Sequence, residues 1–174
     1  LFFKEQKGEI ERGLAQITYI NSHDELTGLY NKAFFDKTLQ EMDGSKDCLP
    51  VSVLVGDMNG LKFVNDVFGH QQGDHWLKKM AVVIQQSCRP NDIIARWGGD
   101  EFLIMLPETD VEGGVIVAEK IRTKIIETPF IYREMEIPVT ITLGVGACEP
   151  GSGVGSCIRK ADQALYAGKQ AGKN

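Results

Sequence analysis

The sequence lacks an excess of basic residues and any long apolar run. Its 19 Lys and Arg residues are outnumbered by 24 Asp and Glu residues, which gives a formal net charge of −5. Nucleic-acid polymers are bound by clustered Lys and Arg, so this balance argues against such a partner. It leaves nucleotides open, because a few local cations or a metal ion can hold one. No stretch approaches the ~18 consecutive apolar residues of a membrane span, so we expect no membrane contact by this segment.

The cysteines also lack the spacing of a metal site. The sequence has no C-x-x-C pair among its four cysteines, Cys48, Cys88, Cys148 and Cys157. This argues against a zinc knuckle or a disulfide framework, and we expect buried, reduced thiols. Reduced cysteines suit a cytoplasmic domain. The expectation leaves open whether the full-length protein is anchored to a membrane.

What the sequence does contain is the composition of one globular domain, with 174 residues of which 43% are hydrophobic and 25% charged. Residues 1–22 differ from the rest by an apolar stripe with a/d-like helical spacing: Phe3, Ile10, Leu14 and Ile17. Two interpretations stay open: a helix packed on its own domain, or the end of a coiled-coil connector from an upstream domain. We favour the connector, followed by one domain over 23–174. Because the chain starts at Leu1 rather than Met, we expect a piece of a longer protein.

Hydrophobic periodicity predicts alternating helices and strands after the connector. The predicted helices cover 31–42, 74–88, 110–127 and 156–170. The predicted strands are 51–55, a hairpin of 93–97 and 102–106, and an antiparallel pair of 130–135 and 137–147. This order predicts an α+β fold in which helices cover a largely antiparallel sheet.

Acidic residues stand at the end of one predicted strand and at the hairpin turn. Asp57 follows the strand 51–55, and Asp100 and Glu101 lie in or beside the turn. If these strands are neighbours, the carboxylates converge on one sheet edge, where they would suit Mg²⁺ or Mn²⁺. The alternative is ordinary turn chemistry, in which Asp is favoured anyway.

Residues suited to phosphate and to a base flank this edge. Gly99 precedes Asp100 and allows close backbone approach to a ligand. Three lysines could offset phosphate charge, although each taken singly is also typical of a solvated surface: Lys62, Lys169 and Lys173. Asn65 and Asp74 could read guanine, because a carboxylate accepts from its ring N–H and amino group. The alternative for Asp74 is a helix N-cap.

At this point the sequence resembles the GGDEF diguanylate cyclases. The signature itself is G-G-D-E-F at 98–102, within the matching block R-W-G-G-D-E-F at 96–102. Further matching blocks are D-E-L-T-G-L-Y-N at 24–31, D-M-N-G-L-K-F-V-N-D at 57–66, G-H-Q-Q-G-D at 69–74 and A-D-Q-A-L-Y-A-G-K-Q-A-G-K-N at 161–174. Their order and spacing make the resemblance specific.

The resemblance implies a fold related to nucleotide-cyclase and polymerase palm domains, with a ferredoxin-like core. It implies condensation of two GTP into cyclic di-GMP with release of two pyrophosphates. It also implies two Mg²⁺ or Mn²⁺ ions per active site and a homodimer with one GTP per subunit. An upstream sensory domain would control that dimer.

The resemblance also implies roles for particular residues. The metal ligands would be Asp57 and Asp100 with the backbone carbonyl of Met58, and Glu101 would be a supporting acid or the base for the ribose 3′-hydroxyl. Guanine would be read by Asn65 and Asp74, with His70 close to the nucleotide. Phosphate partners would be Lys62, Lys169 and Lys173, and Gly99 would give the ligand room.

A further match, R-x-x-D at 89–92, precedes the signature and resembles the family's inhibitory product site. Arg89 would clamp phosphate or stack on guanine, and Asp92 would accept from guanine. The alternative is a plain helix-to-strand turn.

Several positions depart from the family pattern, and two of them bear on the site. Asn59 stands where many members carry Asp, and Lys173 replaces a frequent Arg, which keeps charge but loses a bidentate fork. These departures do not by themselves indicate inactivity. Two other functions stay open beside an active cyclase: a non-catalytic module that senses cyclic di-GMP or GTP, and a cyclase with another base preference.

Overall fold

The computed structural model describes residues 2–43, 50–148 and 153–172 of the chain. Within these ranges its helices are α1 (Phe2–Ser22), α2 (Lys32–Asp43), α3 (Leu61–Phe68), α4 (His70–Ser87), α5 (Val111–Glu127) and α6 (Val154–Gln170). Its strands are β1 (Ser52–Met58), β2 (Ile93–Arg96), β3 (Glu101–Leu106), β4 (Ile131–Tyr132), β5 (Met135–Glu136) and β6 (Ile141–Ala147). The predicted α+β class is confirmed.

The main sheet has the strand order β2-β3-β1-β6, and every neighbouring pair is antiparallel. Alternate residues of β1 enter two separate cores, because side chains of a strand point to opposite faces. Leu54 packs in the core formed with α4 and α5, where Trp76 is fully buried. Val53 and Val55 pack in the core on the other face, which includes Leu165 of α6. Helices thus cover both faces of β1.

The predicted pairing of 130–135 with 137–147 is wrong. β4 pairs with β5 in a small separate hairpin, whose turn residues Arg133 and Glu134 have φ of 45° and 68°. β6 instead pairs with β1 along seven residues. Alternating apolar residues identify a strand but do not identify its pairing partner. The glycines of β6 fit its observed position, because they let α6 pack closely on a strand that pairs with β1.

The segment 61–74, predicted as a loop and helix entry, forms the whole of α3 and the start of α4. Leu61 and Val64 bury one face of α3, and Gly69, with φ of 88°, separates α3 from α4. Asp74 therefore lies inside α4 rather than at its N-terminus, and the N-cap interpretation is wrong. The polar residues of the segment hid a short helical pattern.

The expectation of reduced thiols is wrong for two cysteines. Cys148 at the end of β6 and Cys157 in α6 form a disulfide, with their Cα atoms 5.1 Å apart. Sequence spacing did not reveal that packing of α6 on β6 brings them together. Cys88 is a free, half-buried thiol, and burial, with Asp92 nearby, raises its pKa to about 12. Cys48 lies outside the described residues.

The helix α1 joins the domain through an aromatic contact. The ring of Tyr19 stacks on His23 with centroids 4.0 Å apart, and His23 contacts Tyr30 at 4.8 Å. Leu14 and Ile17 of α1 remain exposed, at 59% and 57%. In the described ranges, no helix combines the length and apolarity needed to cross a membrane.

Candidate active site

The structure brings the predicted acidic residues together where β1 ends and β3 begins. We call this group, Asp57, Asp100 and Glu101, the acidic edge. In the antiparallel register of β1 and β3, Asp57 lies opposite Glu101. Asp100 precedes Glu101, and its carbonyl accepts a hydrogen bond of 3.0 Å from the backbone N–H of Met58. The neighbouring strands that the metal hypothesis required are therefore present.

These carboxylates lie in an environment that disfavours negative charge. Burial, and next the charge of Asp57, raises the pKa of Asp100 above its ordinary value. The pKa of Glu101 is also raised by burial, then by Asp57 and Asp100, with a smaller contribution from Asp162 of α6. Like charges held close in a partly dry site need a cation nearby.

The nearest cation is the side chain of Lys169. Its Nζ lies 2.8 Å from Oδ2 of Asp57, and the side chains are 32% and 13% exposed. The lysine reaches this edge because α6 packs directly on the backbone of β6. A Cβ at Gly144 would lie 2.0 Å from the Ala161 carbonyl oxygen, and one at Gly146 would lie 2.3 Å from that of Cys157. Only glycine permits this approach, so these two positions fix where α6 carries its lysine.

Arg96 and Asp24 form a supporting contact that the sequence analysis missed. Arg96 Nη1 lies 3.2 Å from Asp24 Oδ2, and its Nη2 donates to the Gly99 carbonyl at 2.8 Å. One guanidinium therefore ties the signature turn to the segment after α1. Both residues stood in the matched sequence blocks, but their separation in the chain hid the pair.

The predicted guanine readers lie on adjacent helices. Asn65 is half-buried in α3, while Asp74 and His70 are exposed in α4. A Cβ at Gly73 would lie only 1.9 Å from Oδ1 of Asn65. The Asn65 side-chain amide thus lies against α4, next to the position of Asp74. A side chain at position 73 would occupy the same space as this amide.

Other predicted residues surround this edge. Lys62 is exposed at the start of α3, Gly99 is exposed in the turn, and Lys173 lies outside the described residues. The Asn59 amide donates to Thr140 Oγ1 at 2.8 Å and accepts from Thr142 Oγ1 at 3.1 Å. Asn59 therefore fastens the end of β1 to β6, a role that its amide fills as donor and acceptor.

The R-x-x-D residues line a cavity of about 370 Å³ away from the acidic edge. Arg89 and Asp92 share this cavity with His23 and Tyr30 at the base of α1. The Arg89 backbone N–H also donates to Asp92 Oδ2 at 2.6 Å, so Asp92 closes the turn as well. Asp92 therefore closes the turn and also lines the cavity, so the turn interpretation and the ligand-binding interpretation are compatible.

Comparison with known proteins gives the class. The chain belongs to the family described as diguanylate cyclase, GGDEF domain, which matches residues 21–174. It is 34% identical over 158 residues to the probable diguanylate cyclase DgcT of Escherichia coli, covering 89% of this chain and 35% of that protein. It is 34% identical over 164 residues to the response regulator PleD of Caulobacter vibrioides, covering 87% of this chain and 34% of that one.

A solved structure shares nearly the whole fold. The coiled coil and GGDEF domain of DgcB from Caulobacter crescentus, in complex with c-di-GMP, aligns with a TM-score of 0.89 at 28% identity. The alignment covers 98% of this chain and 94% of that one. By contrast, the chain spans about a third of the length of the two curated relatives.

Proposed function

We propose that this chain is the catalytic domain of a diguanylate cyclase, which condenses two GTP into cyclic di-GMP and releases two pyrophosphates. The observation that carries the proposal is the meeting of Asp57, Asp100 and Glu101 at one sheet edge within an intact GGDEF signature. Membership of the family supports it.

The acidic edge fits a divalent cation, because carboxylate oxygens are the ligands that Mg²⁺ and Mn²⁺ prefer. Asp57 and Asp100 would hold two ions, together with the Met58 carbonyl. When bound, such ions lower the pKa of an attacking hydroxyl and neutralise charge on a leaving pyrophosphate.

The reaction consists of two equivalent condensations. In each, the ribose 3′-oxygen of one GTP bonds to the α-phosphorus of the other, and the bond from that phosphorus to the β-phosphate oxygen breaks. Pyrophosphate leaves, and the hydroxyl proton passes to a base, for which Glu101 is our candidate. Lys62, Lys169 and Lys173 would bind phosphate, and Gly99 leaves room because no atom lies within 4 Å of its missing Cβ.

Base selection would come from Asn65 and Asp74, with His70 beside the nucleotide. The Asp74 carboxylate accepts from the guanine ring N–H and amino group, a donor pair that adenine lacks. The close contact of Asn65 with Gly73 supports this, since it holds the amide next to Asp74.

Catalysis would require a homodimer with one GTP per subunit, because each chain carries one acidic edge. The exposed apolar residues of α1 support pairing through a coiled coil that connects to an upstream sensory domain. The DgcB structure, which contains a coiled coil and a GGDEF domain and aligns with 98% of this chain, supports a coiled coil ahead of the domain.

We also propose that cyclic di-GMP inhibits the enzyme by binding at Arg89 and Asp92, in the cavity that they line. A cytoplasmic location follows from the proposed GTP substrate and no longer rests on the cysteines.

Two variants and one control test these roles separately. Asp57→Asn is expected to abolish cyclic di-GMP synthesis, whereas the control Asp36→Asn, at an exposed side chain of α2, leaves it unchanged. Arg89→Ala is expected to keep turnover but lose inhibition by product. A wild-type dimer that binds cyclic di-GMP tightly and never turns over GTP would instead identify a sensor module.

A further inference from the structure

We propose that Lys169 is an internal counter-ion for Asp57 that must leave before this carboxylate can bind a divalent cation. A metal ion alone then binds weakly, and the nucleotide favours metal binding because its phosphates offer Lys169 another anion. The inference rests on the proposed function, since it takes Asp57 as a metal ligand.

The geometry of the ion pair carries the first step. At 2.8 Å from Oδ2, the Lys169 ammonium takes up one oxygen of a carboxylate that is only 13% exposed. A divalent ion approaching the same carboxylate meets the positive charge of the ammonium at close range. Their repulsion is strong in a partly buried site, so one cation must displace the other.

The neighbouring charges explain why a cation is held there. Asp57 lies opposite Glu101, with Asp100 beside it. Asp162, about two turns before Lys169 on the same side of α6, is close enough to act on Glu101. Without any cation these carboxylates would repel one another. Lys169 offsets this repulsion in the nucleotide-free chain.

The movable part is the lysine side chain rather than its helix. The close contacts of Gly144 and Gly146 with the backbone of α6 resist any shift of that helix. A lysine has a flexible four-carbon arm, so its ammonium can move from a carboxylate to a nearby phosphate by rotamer changes alone.

The test measures Mn²⁺ binding to the full chain by electron paramagnetic resonance, with and without a GTP analogue that cannot release pyrophosphate. Lys169→Met removes the ammonium and keeps the length of the side chain. Lys124→Met, on α5 at the opposite face of the sheet, is the matched control for net charge. We expect Lys169→Met to bind Mn²⁺ alone about tenfold more tightly than wild type, and Lys124→Met to change affinity less than about twofold.

In the presence of the analogue, the difference in Mn²⁺ affinity between Lys169→Met and wild type should become smaller or change sign. The analogue raises the Mn²⁺ affinity of wild type more, because its phosphates draw the Lys169 ammonium away from Asp57. Lys169→Gln serves as a second variant if the methionine variant does not fold. Unchanged Mn²⁺ affinity in a folded Lys169 variant would overturn the inference while leaving the proposed enzyme intact. If Asp57→Asn fails to weaken Mn²⁺ binding in the presence of the analogue, the proposed metal site itself is wrong.

Discussion

Arg96 forms an ion pair with Asp24, a residue 72 positions earlier in the chain. The same guanidinium donates two hydrogen bonds to the Gly99 carbonyl, at 2.8 and 3.2 Å. Asp24 is itself held by the hydroxyl and the backbone N–H of Thr27. The segment that follows α1 and the turn before Asp100 are thus parts of one hydrogen-bonded unit.

Removing this bridge should affect both stability and activity. We expect Arg96→Ala to lower the free energy of unfolding by about 1.5–3 kcal/mol, the range for hydrogen bonds to charged groups. It should also reduce kcat, because the turn that carries Asp100 loses its support. Urea unfolding and steady-state kinetics measure the two effects.

The control for Arg96 is Arg122→Ala on α5. Arg122 pairs with Glu119 at 2.9 Å on an exposed helix face, where such pairs contribute about 0.3–0.5 kcal/mol. Equal losses in both variants would show that the bridge has no special structural role.

The acidic edge should be a source of instability in the metal-free protein. The raised pKa of Asp100 means that the folded state holds its proton to higher pH than the unfolded state does. Its contribution to stability therefore falls as pH rises above about 4, the ordinary value for Asp, toward the raised pKa. At neutral pH the charged carboxylate destabilises the fold.

Asp100→Asn should consequently raise the unfolding temperature in EDTA at pH 7, while abolishing synthesis of cyclic di-GMP. The gain should shrink as the pH falls below about 4. Asp36→Asn, which loses an exposed ion pair with Lys32, should give no gain. An Asp100→Asn protein that unfolds below wild type at pH 7 would contradict this account.

Much of the architecture could be predicted from the sequence because the signals were local. The apolar run of β1, the Gly-Gly turn of the hairpin and the helical spacing of α5 all lie within single elements. The meeting of Asp57 with Glu101 followed once β1 and β3 were taken as neighbours.

The rest depended on contacts between distant segments. The partner of β6, the disulfide between Cys148 and Cys157, and the Arg96–Asp24 pair each join residues through packing that no local pattern encodes. The short helix α3 was missed for a different reason, since its 8 residues offer only about two turns of helical spacing.

The contact between Gly73 and Asn65 predicts a variant with altered substrate recognition. In Gly73→Ala the new methyl group would overlap Oδ1 of Asn65, which must move. We expect KM for GTP to rise about tenfold, as loss of one hydrogen-bonding group of the base site costs about 1–1.5 kcal/mol. Gly155→Ala, whose Cβ would meet no atom within 4 Å, should leave KM unchanged. If Gly73→Ala keeps the wild-type KM, Asn65 does not read the base.

The disulfide predicts a stability that depends on reducing agent. Cys148 and Cys157 are 9 residues apart, and closing a loop of this size stabilises a protein by about 2–3 kcal/mol in the chain-entropy model. Dithiothreitol should lower the unfolding temperature of wild type by several degrees. It should lower the unfolding temperature of the control Cys88→Ala by the same amount, because Cys88 is not part of the disulfide. In the double variant Cys148→Ala, Cys157→Ala the reductant should have no effect. If dithiothreitol does not change the unfolding temperature of wild type, the disulfide does not form.

Catalysis at the acidic edge is tested by incubating the dimeric chain with GTP and Mg²⁺ and separating the products by chromatography. We expect one cyclic di-GMP and two pyrophosphates for every two GTP consumed, no cyclic product from ATP, and no turnover by Asp57→Asn. Unchanged GTP after incubation of a verified dimer, or equal turnover by Asp57→Asn, would contradict the assignment of this acidic edge as the catalytic site.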